Sequence, residues 1–338
     1  MNTARGASLK QTGFTLIELM VAMVIGVLVI LGATQLFVAS QQNYRTTTAL
    51  ANMQDTGRFA LETLSRELRQ ADFKGGCAPN QVNVSVRAPL SASGATPTPA
   101  PGLQGFTASQ TRTFSSLTNP LGNSQSIAFR AAGASTPGTI TSVSGQLYDF
   151  KPIPPAPSAP PDTVGRMLLL QSAQKCDLIL NAATAASKLQ KSTAGWPANS
   201  IQASPLSYIQ NQTVTLTVLN SGVYYLGNDS NNAGVPSLMR LDTSTATTQN
   251  EVLASHVVAL RARYLVDGSY KPVEDVSAAE WPAVRAVRVS LIIQSERTDL
   301  RQTPTQIATG NFQTNPFQAN DGRLYQAFTT TIDLRNRL

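Results

Sequence analysis

The chain has 338 residues, with 26 Lys and Arg against 19 Asp and Glu, a formal net charge of +7 and only 13% charged residues. That length accommodates a membrane helix plus one large domain or two small ones with a real core. No segment concentrates Lys and Arg as a nucleic-acid footprint does, and sparse charge among abundant Ser, Thr, Asn and Gln argues against a cytosolic protein.

In chain order, residues 1–13 form a short leader with Arg5, Lys10 and no acid, and removing them leaves a net charge of +5. Next comes Gly13-Phe14-Thr15-Leu16-Ile17-Glu18-Leu19, opening an uncharged apolar run over 19–39. At about 1.5 Å per residue that run crosses a hydrocarbon core of roughly 30 Å, whereas the apolar part of a secretory signal is about 7–15 residues long. A removable signal cut near Val38-Ala39-Ser40 is therefore the weaker reading. A plain N-terminal anchor, held by Arg5 and Lys10 on the cytoplasmic side, is the stronger alternative, but it leaves Glu18 unexplained.

An ionised carboxylate inside a span costs about 2.5–3.5 kcal/mol even on lenient scales, so Glu18 calls for a cation. Lys10 lies two helical turns back. Cutting the chain after Gly13 instead creates an amino group on Phe14, one turn from Glu18 or within reach of Glu18 on a neighbouring copy. The stretch Gly13-Phe14-Thr15-Leu16-Ile17-Glu18 resembles the class III signal of type IV pilins and pseudopilins. The resemblance implies that a prepilin peptidase cuts after Gly13 and methylates the new N-terminus at Phe14. It also implies that Glu18 acts in subunit assembly.

Residues 14–72 contain no proline and read as one helix, about 90 Å long at a 1.5 Å rise. Its first part, 14–40, is the transmembrane or filament-core portion. Its second part, 41–74, is amphipathic, with Leu61, Leu64, Leu68 and Ala71 on one stripe and Arg58, Glu62, Arg66, Glu67 and Arg69 mostly off it. Gly75-Gly76, followed by Cys77 and Pro79, is the expected stop.

From 75 to 338 the pattern becomes short β runs between turn formers: 82–87, 126–130, 166–171, 177–180, 213–219, 223–226, 238–241, 257–266, 284–293 and 325–334. The expected fold is therefore α+β, a long N-terminal helix packed on a mainly antiparallel sheet domain. The mixed order of Arg285 to Leu291 leaves the facing of that run open. Segments 91–105 and 152–161 read as flexible or polyproline insertions. Cys77 and Cys176 match no zinc or CxxC spacing, and in an oxidising compartment they are expected to form one disulfide, two buried free thiols being the alternative.

Catalytic chemistry finds no constellation: there is no Walker loop, GxSxG elbow or HExxH, and the single histidine, His256, sits in an apolar run. The loop around Asp229 lacks the spacing and final glutamate of an EF-hand and reads as a polar turn. Trp196 and Trp281 precede prolines and read as loop or core residues. No enzyme, cofactor or metal centre is expected.

Beyond the signal, Gly57-Arg58-Phe59-Ala60-Leu61-Glu62, Leu64 to Arg69, Gly75-Gly76-Cys77, Val257 to Tyr264, Val284 to Val289 and Tyr325 to Arg337 resemble PilW-type minor pilins. That resemblance implies a subunit of the initiating or tip complex of a type IV pilus, with roles in pilus assembly and hence in twitching motility, adhesion or DNA uptake. The implied partners are prepilin peptidase, other minor pilins, the major pilin and the inner-membrane assembly platform. The implied location is the inner membrane, with the bulk in the periplasm, and then the cell surface. A J-type pseudopilin of type II secretion and a pilus-borne adhesin or DNA-binding module using residues 80–250 are the alternatives; the charge pattern gives a nucleic-acid partner no support.

Overall fold

A computed structural model describes residues 15–73, 75, 77, 82–84, 102–114, 116–154, 163–185, 187–191, 206–232, 234–245 and 249–337. Gly13, Phe14, Gly76, Trp196 and most of the two expected insertions, 91–101 and 155–161, lie outside these. The chain divides into two compact units, Met1–Ala51 and Asn52–Leu338.

Helix α1, Leu16–Leu68, contributes to both units. In the first unit every large apolar side chain from Leu16 to Val38 is more than half exposed. A helix that is apolar all round is stable only in lipid or among like helices, and this one is long and apolar enough to cross a membrane. The Thr34 hydroxyl bonds back to the Ile30 carbonyl at 2.8 Å, so it brings no bare donor into that surface.

In the second unit α1 buries Met53, Gly57, Ala60, Leu64 and Leu68, at spacings of three and four. Leu64, Leu68 and Ala71 of the expected stripe are buried, while Leu61 packs only partly against the core. The helix stops earlier than expected, at Leu68 rather than 72. Asp72 takes a left-handed conformation, φ 60°, before the glycines are reached, and its N–H donates to the Arg130 carbonyl at 2.8 Å.

The strands in chain order are β1 (Val82–Val84), β2 (Leu103–Phe106), β3 (Ser126–Ser144), β4 (Leu147–Pro152), β5 (Met167–Gln171), β6 (Cys176–Leu180), β7 (Lys188–Gln190), β8 (Thr213–Asn228), β9 (Pro236–Asp242), β10 (Gln249–Ser255), β11 (Val257–Val266), β12 (Ser269–Pro272), β13 (Ala286–Gln294), β14 (Thr305–Ile307), β15 (Phe317–Ala319) and β16 (Tyr325–Asp333). β2 corrects the expectation of a flexible segment through 105, because Leu103 to Phe106 pair antiparallel with Phe129 to Ser126.

The larger sheet runs β1-β6-β5-β8-β3-β4-β7, with β2 added to β3 and the β9-β10 pair added to β8. Its spine is β8, expected as two strands across Asn220-Ser221-Gly222. It stays one strand because Ser221 Oγ donates to the Phe129 carbonyl at 3.2 Å and meets Thr243 Oγ1 at 2.7 Å, so the polar residues are satisfied inside the sheet. The smaller sheet is antiparallel throughout, ordered β12-β11-β13-β16.

One core joins the buried helix face to Ile127, Phe129 and Tyr224 of the larger sheet and to Leu260, Tyr264, Val287, Leu291 and Ile332 of the smaller one. The mixed order in β13 now has its reason: the strand is covered on both faces. Val287, Val289, Leu291 and Ile293 meet the helix core, Ile292 packs with Phe312 of the turn Gly310–Phe312, and the Arg288 guanidinium lies 4.0 Å from the Tyr270 ring centroid.

Cys77 and Cys176 form a disulfide, Cα to Cα 6.3 Å, tying the segment after α1 to β6. With the cysteines 99 positions apart in sequence, the chain-entropy account gives about 4–5 kcal/mol of stabilisation.

Candidate assembly site

The first turn of α1 is closed by a capping box. The Glu18 N–H donates to Thr15 Oγ1 at 3.3 Å, and both the Thr15 N–H and its hydroxyl donate to Glu18 Oε2 at 3.0 Å. These bonds hold the carboxylate over the N-terminal end of the helix, where the macrodipole also favours an anion. Among the described residues Oε1 carries no bond and the donors to Glu18 are neutral, so no described cation compensates its negative charge. Of the sequence-predicted site residues, Glu18 is thus placed at the start of the exposed apolar run; Gly13 and Phe14 lie outside the described residues. The pattern Thr-x-x-Glu at 15–18 is itself a capping signature legible in the sequence.

At the other end, α1 is fastened by residues near the C-terminus. Arg337 Nε donates to Asp72 Oδ2 at 2.8 Å, with side chains only 2% and 4% exposed. The same guanidinium donates from Nη1 to the carbonyls of Trp281 and, at 3.3 Å, Val284. Asn336 Nδ2 donates to the carbonyls of Gln70 at 2.9 Å and Ala71 at 3.1 Å, and the Arg335 N–H donates to the Arg69 carbonyl at 3.2 Å. Asp72 Oδ1 accepts from the Gly102 N–H at 3.1 Å. The carbonyls of Glu67 and Leu68 accept from the N–H groups of Gln70 and Ala71, and those of the three residues that follow the helix, Arg69, Gln70 and Ala71, are satisfied by Arg335 and Asn336. Burial pulls the Arg130 guanidinium below its ordinary value, the Asp72 carboxylate opposes that pull, and the Arg337 charge adds to it.

A second fastening lies one turn earlier. Glu67 pairs with Arg240 of β9 at 3.3 Å and accepts the Tyr224 hydroxyl, while Arg240 also reaches Glu251 at 3.2 Å. Burial raises the Tyr224 phenol well above its usual range and Glu67 adds to the effect, so the phenol acts as a permanent donor. The third feature is steric. A Cβ on Gly57 would fall 2.6 Å from Cδ2 and Cε2 of Phe328, so β16 presses its ring against bare helix backbone.

The remaining candidates take structural places. His256 sits between β10 and β11 at φ 63°, with Nδ1 lacking a hydrogen-bond partner among the described residues. Asp229 Oδ1 accepts the Asn231 N–H at 2.8 Å, closing a polar turn. Trp281 is buried edge-on against Tyr264, ring centroids 4.7 Å apart. The site has noncovalent chemistry to offer: an apolar rod, one carboxylate at its lip and a helix end clamped to two sheets.

Residues 223–336 match the family model for Type IV Pilus-assembly protein W, and residues 8–34 match the Prokaryotic N-terminal methylation motif. The first match begins within β8 and ends at Asn336, one residue before Arg337; the second covers the last part of the leader, the capping box and most of the apolar run. No curated protein and no solved structure matches the chain. The two family matches support a PilW-like minor pilin of a type IV pilus, and they point to a structural rather than an enzymatic protein.

Proposed function

We propose that this protein enters the inner membrane through α1, is cut after Gly13 by a prepilin peptidase that methylates Phe14, and joins other minor pilins and the major pilin in the initiating or tip complex of a type IV pilus. Its second unit stands in the periplasm, in keeping with the disulfide, and reaches the cell surface with the fibre. Twitching motility, adhesion and DNA uptake follow from assembly. The observation that supports this reading is the capping box, which holds a carboxylate with no cationic partner among the described residues at the first turn of α1, four positions after the residue on which the proposed cleavage would create an ammonium.

Assembly then works by helix transfer. The apolar face of α1 leaves lipid for a bundle of like helices at little cost, because each environment is apolar. The carboxylate sets the register, since a subunit halted elsewhere leaves Glu18 buried without a cation. Glu18→Ala is expected to be processed normally yet to fall sharply in sheared fibres, with piliation reduced. Normal recovery of that variant in fibres would contradict the pairing.

A further inference from the structure

Folding gathers what the sequence keeps apart. Arg58 and Arg66 of the exposed side of α1, Arg69 just after it and Arg335 beyond β16 line one groove of about 620 Å³, together with Glu62, Phe328, Thr329 and Thr330. All four arginines are exposed, and none has a side-chain hydrogen bond or an ion pair among the described residues. Glu62 is the single acid in the lining.

The strand in that groove is an open edge. β16 pairs with β13 on one side and is the last strand of its sheet. The Leu334 N–H donates to the Arg285 carbonyl at 2.9 Å and the Ser295 N–H to the Leu324 carbonyl at 2.8 Å, which fixes the phase of the antiparallel ladder at both ends. By that alternation residues 326, 328, 330 and 332 bond to β13, and the main-chain groups of Ala327, Thr329 and Thr331 point away from it. No described residue takes them up.

We propose that this groove binds an extended, acidic segment of a neighbouring protein subunit, which adds a strand to β16 and sets its carboxylates against Arg58, Arg66, Arg69 and Arg335. Unpaired N–H and C=O groups on an edge recruit another polypeptide strand, and the guanidinium forks select carboxylates. A nucleic acid supplies anions but no complementary main chain for the edge. A second copy of this chain is disfavoured by its own net positive charge. The reading above bears only on which subunit is the neighbour; binding at the groove stands without it.

The test uses the full chain in detergent micelles and a fluorescent short synthetic peptide alternating glutamate and threonine, read by anisotropy. A lysine–threonine peptide and a single-stranded oligonucleotide of equal charge serve as competitors. The glutamate peptide is expected to bind and to resist both competitors. Arg66→Glu with Arg69→Glu lowers affinity by about tenfold or more, since hydrogen bonds to charged groups are the strong ones. Thr331→Pro, which deletes an outward N–H and no bond to β13, weakens binding at unchanged charge. Unchanged melting temperature certifies the fold of each variant, and Ala327→Pro substitutes if Thr331→Pro melts low. Equal binding by the arginine variant, preference for the oligonucleotide, no binding of the peptide, or indifference to the proline variants would each overturn the proposal. None of these outcomes depends on cleavage after Gly13.

Discussion

Residue-scale consequences centre on charges that folding places in dry surroundings. Asp72 and Arg337 are nearly inaccessible and join the segment after α1 to the turn after β16, so removing the Asp72 charge leaves the Arg337 guanidinium buried without that carboxylate. Asp72→Asn keeps the left-handed backbone, which asparagine tolerates, and is expected to cost about 3–5 kcal/mol in denaturant unfolding; a loss under about 1 kcal/mol is the signature of an exposed pair. His256 provides the pH dependence. Burial holds its imidazole below the ordinary value, with Glu296 opposing the shift and Arg323 adding to it, so the unfolded chain takes up a proton first. Stability is therefore lost as pH falls through about 6.5, and none is lost to this group above it. His256→Asn, acceptable at a positive φ, is expected to flatten the drop in melting temperature between about pH 7 and pH 5; an equally steep drop in the variant assigns the acid sensitivity to other groups.

At the scale of elements, the joint between α1 and β16 depends on a missing side chain. Glycine inside a helix gives up about 1 kcal/mol relative to alanine, and here the empty position admits the Phe328 ring. Gly57→Ala is expected to lower stability on balance, since overpacking costs about 1–3 kcal/mol. Adding Phe328→Leu should recover part of the loss, and strict additivity in that double-mutant cycle would refute the contact. This joint was half legible: the apolar spacing along the helix could be read, but its partner lies in a strand more than two hundred residues on. The same holds for the clasp, whose members Asp72 and Arg337 are 265 positions apart. Strands with clear β-branched or alternating patterns, such as β11, could be read from the chain. β3 could be read only over 126–130, because Ala131-Ala132-Gly133-Ala134-Ser135-Thr136-Pro137-Gly138 has the composition of a loop. It becomes a strand by pairing with β8 and β4 on its two edges, with a register shift between Ala132 and Ser135 that absorbs the irregular stretch. The Gly75-Gly76 stop was misjudged for a related reason: tertiary bonds to Arg130 and Gly102 end the helix earlier than local propensity requires.

Across the whole molecule, two kinds of surface are arranged for contact with other chains. One is the exposed apolar run beginning at Leu16, which tolerates only lipid or like helices; the other is the arginine-lined edge of β16. The two family matches cover most of the apolar run and the β16 side of the groove, while residues 35–222, which include Arg58, Arg66 and Arg69, lie under neither. That interval includes β1 through β7, the first part of β8 and the disulfide, so the matched regions do not define the role of that part of the larger sheet. The central claim is that the chain exchanges its leader for a positive end that Glu18 can meet. The most direct test is the mass of the N-terminal peptide of the protein recovered from its native cells. A peptide beginning at N-methylated Phe14 is the predicted result; one beginning at Met1, or at Gln41 after a conventional signal cut, would contradict the account.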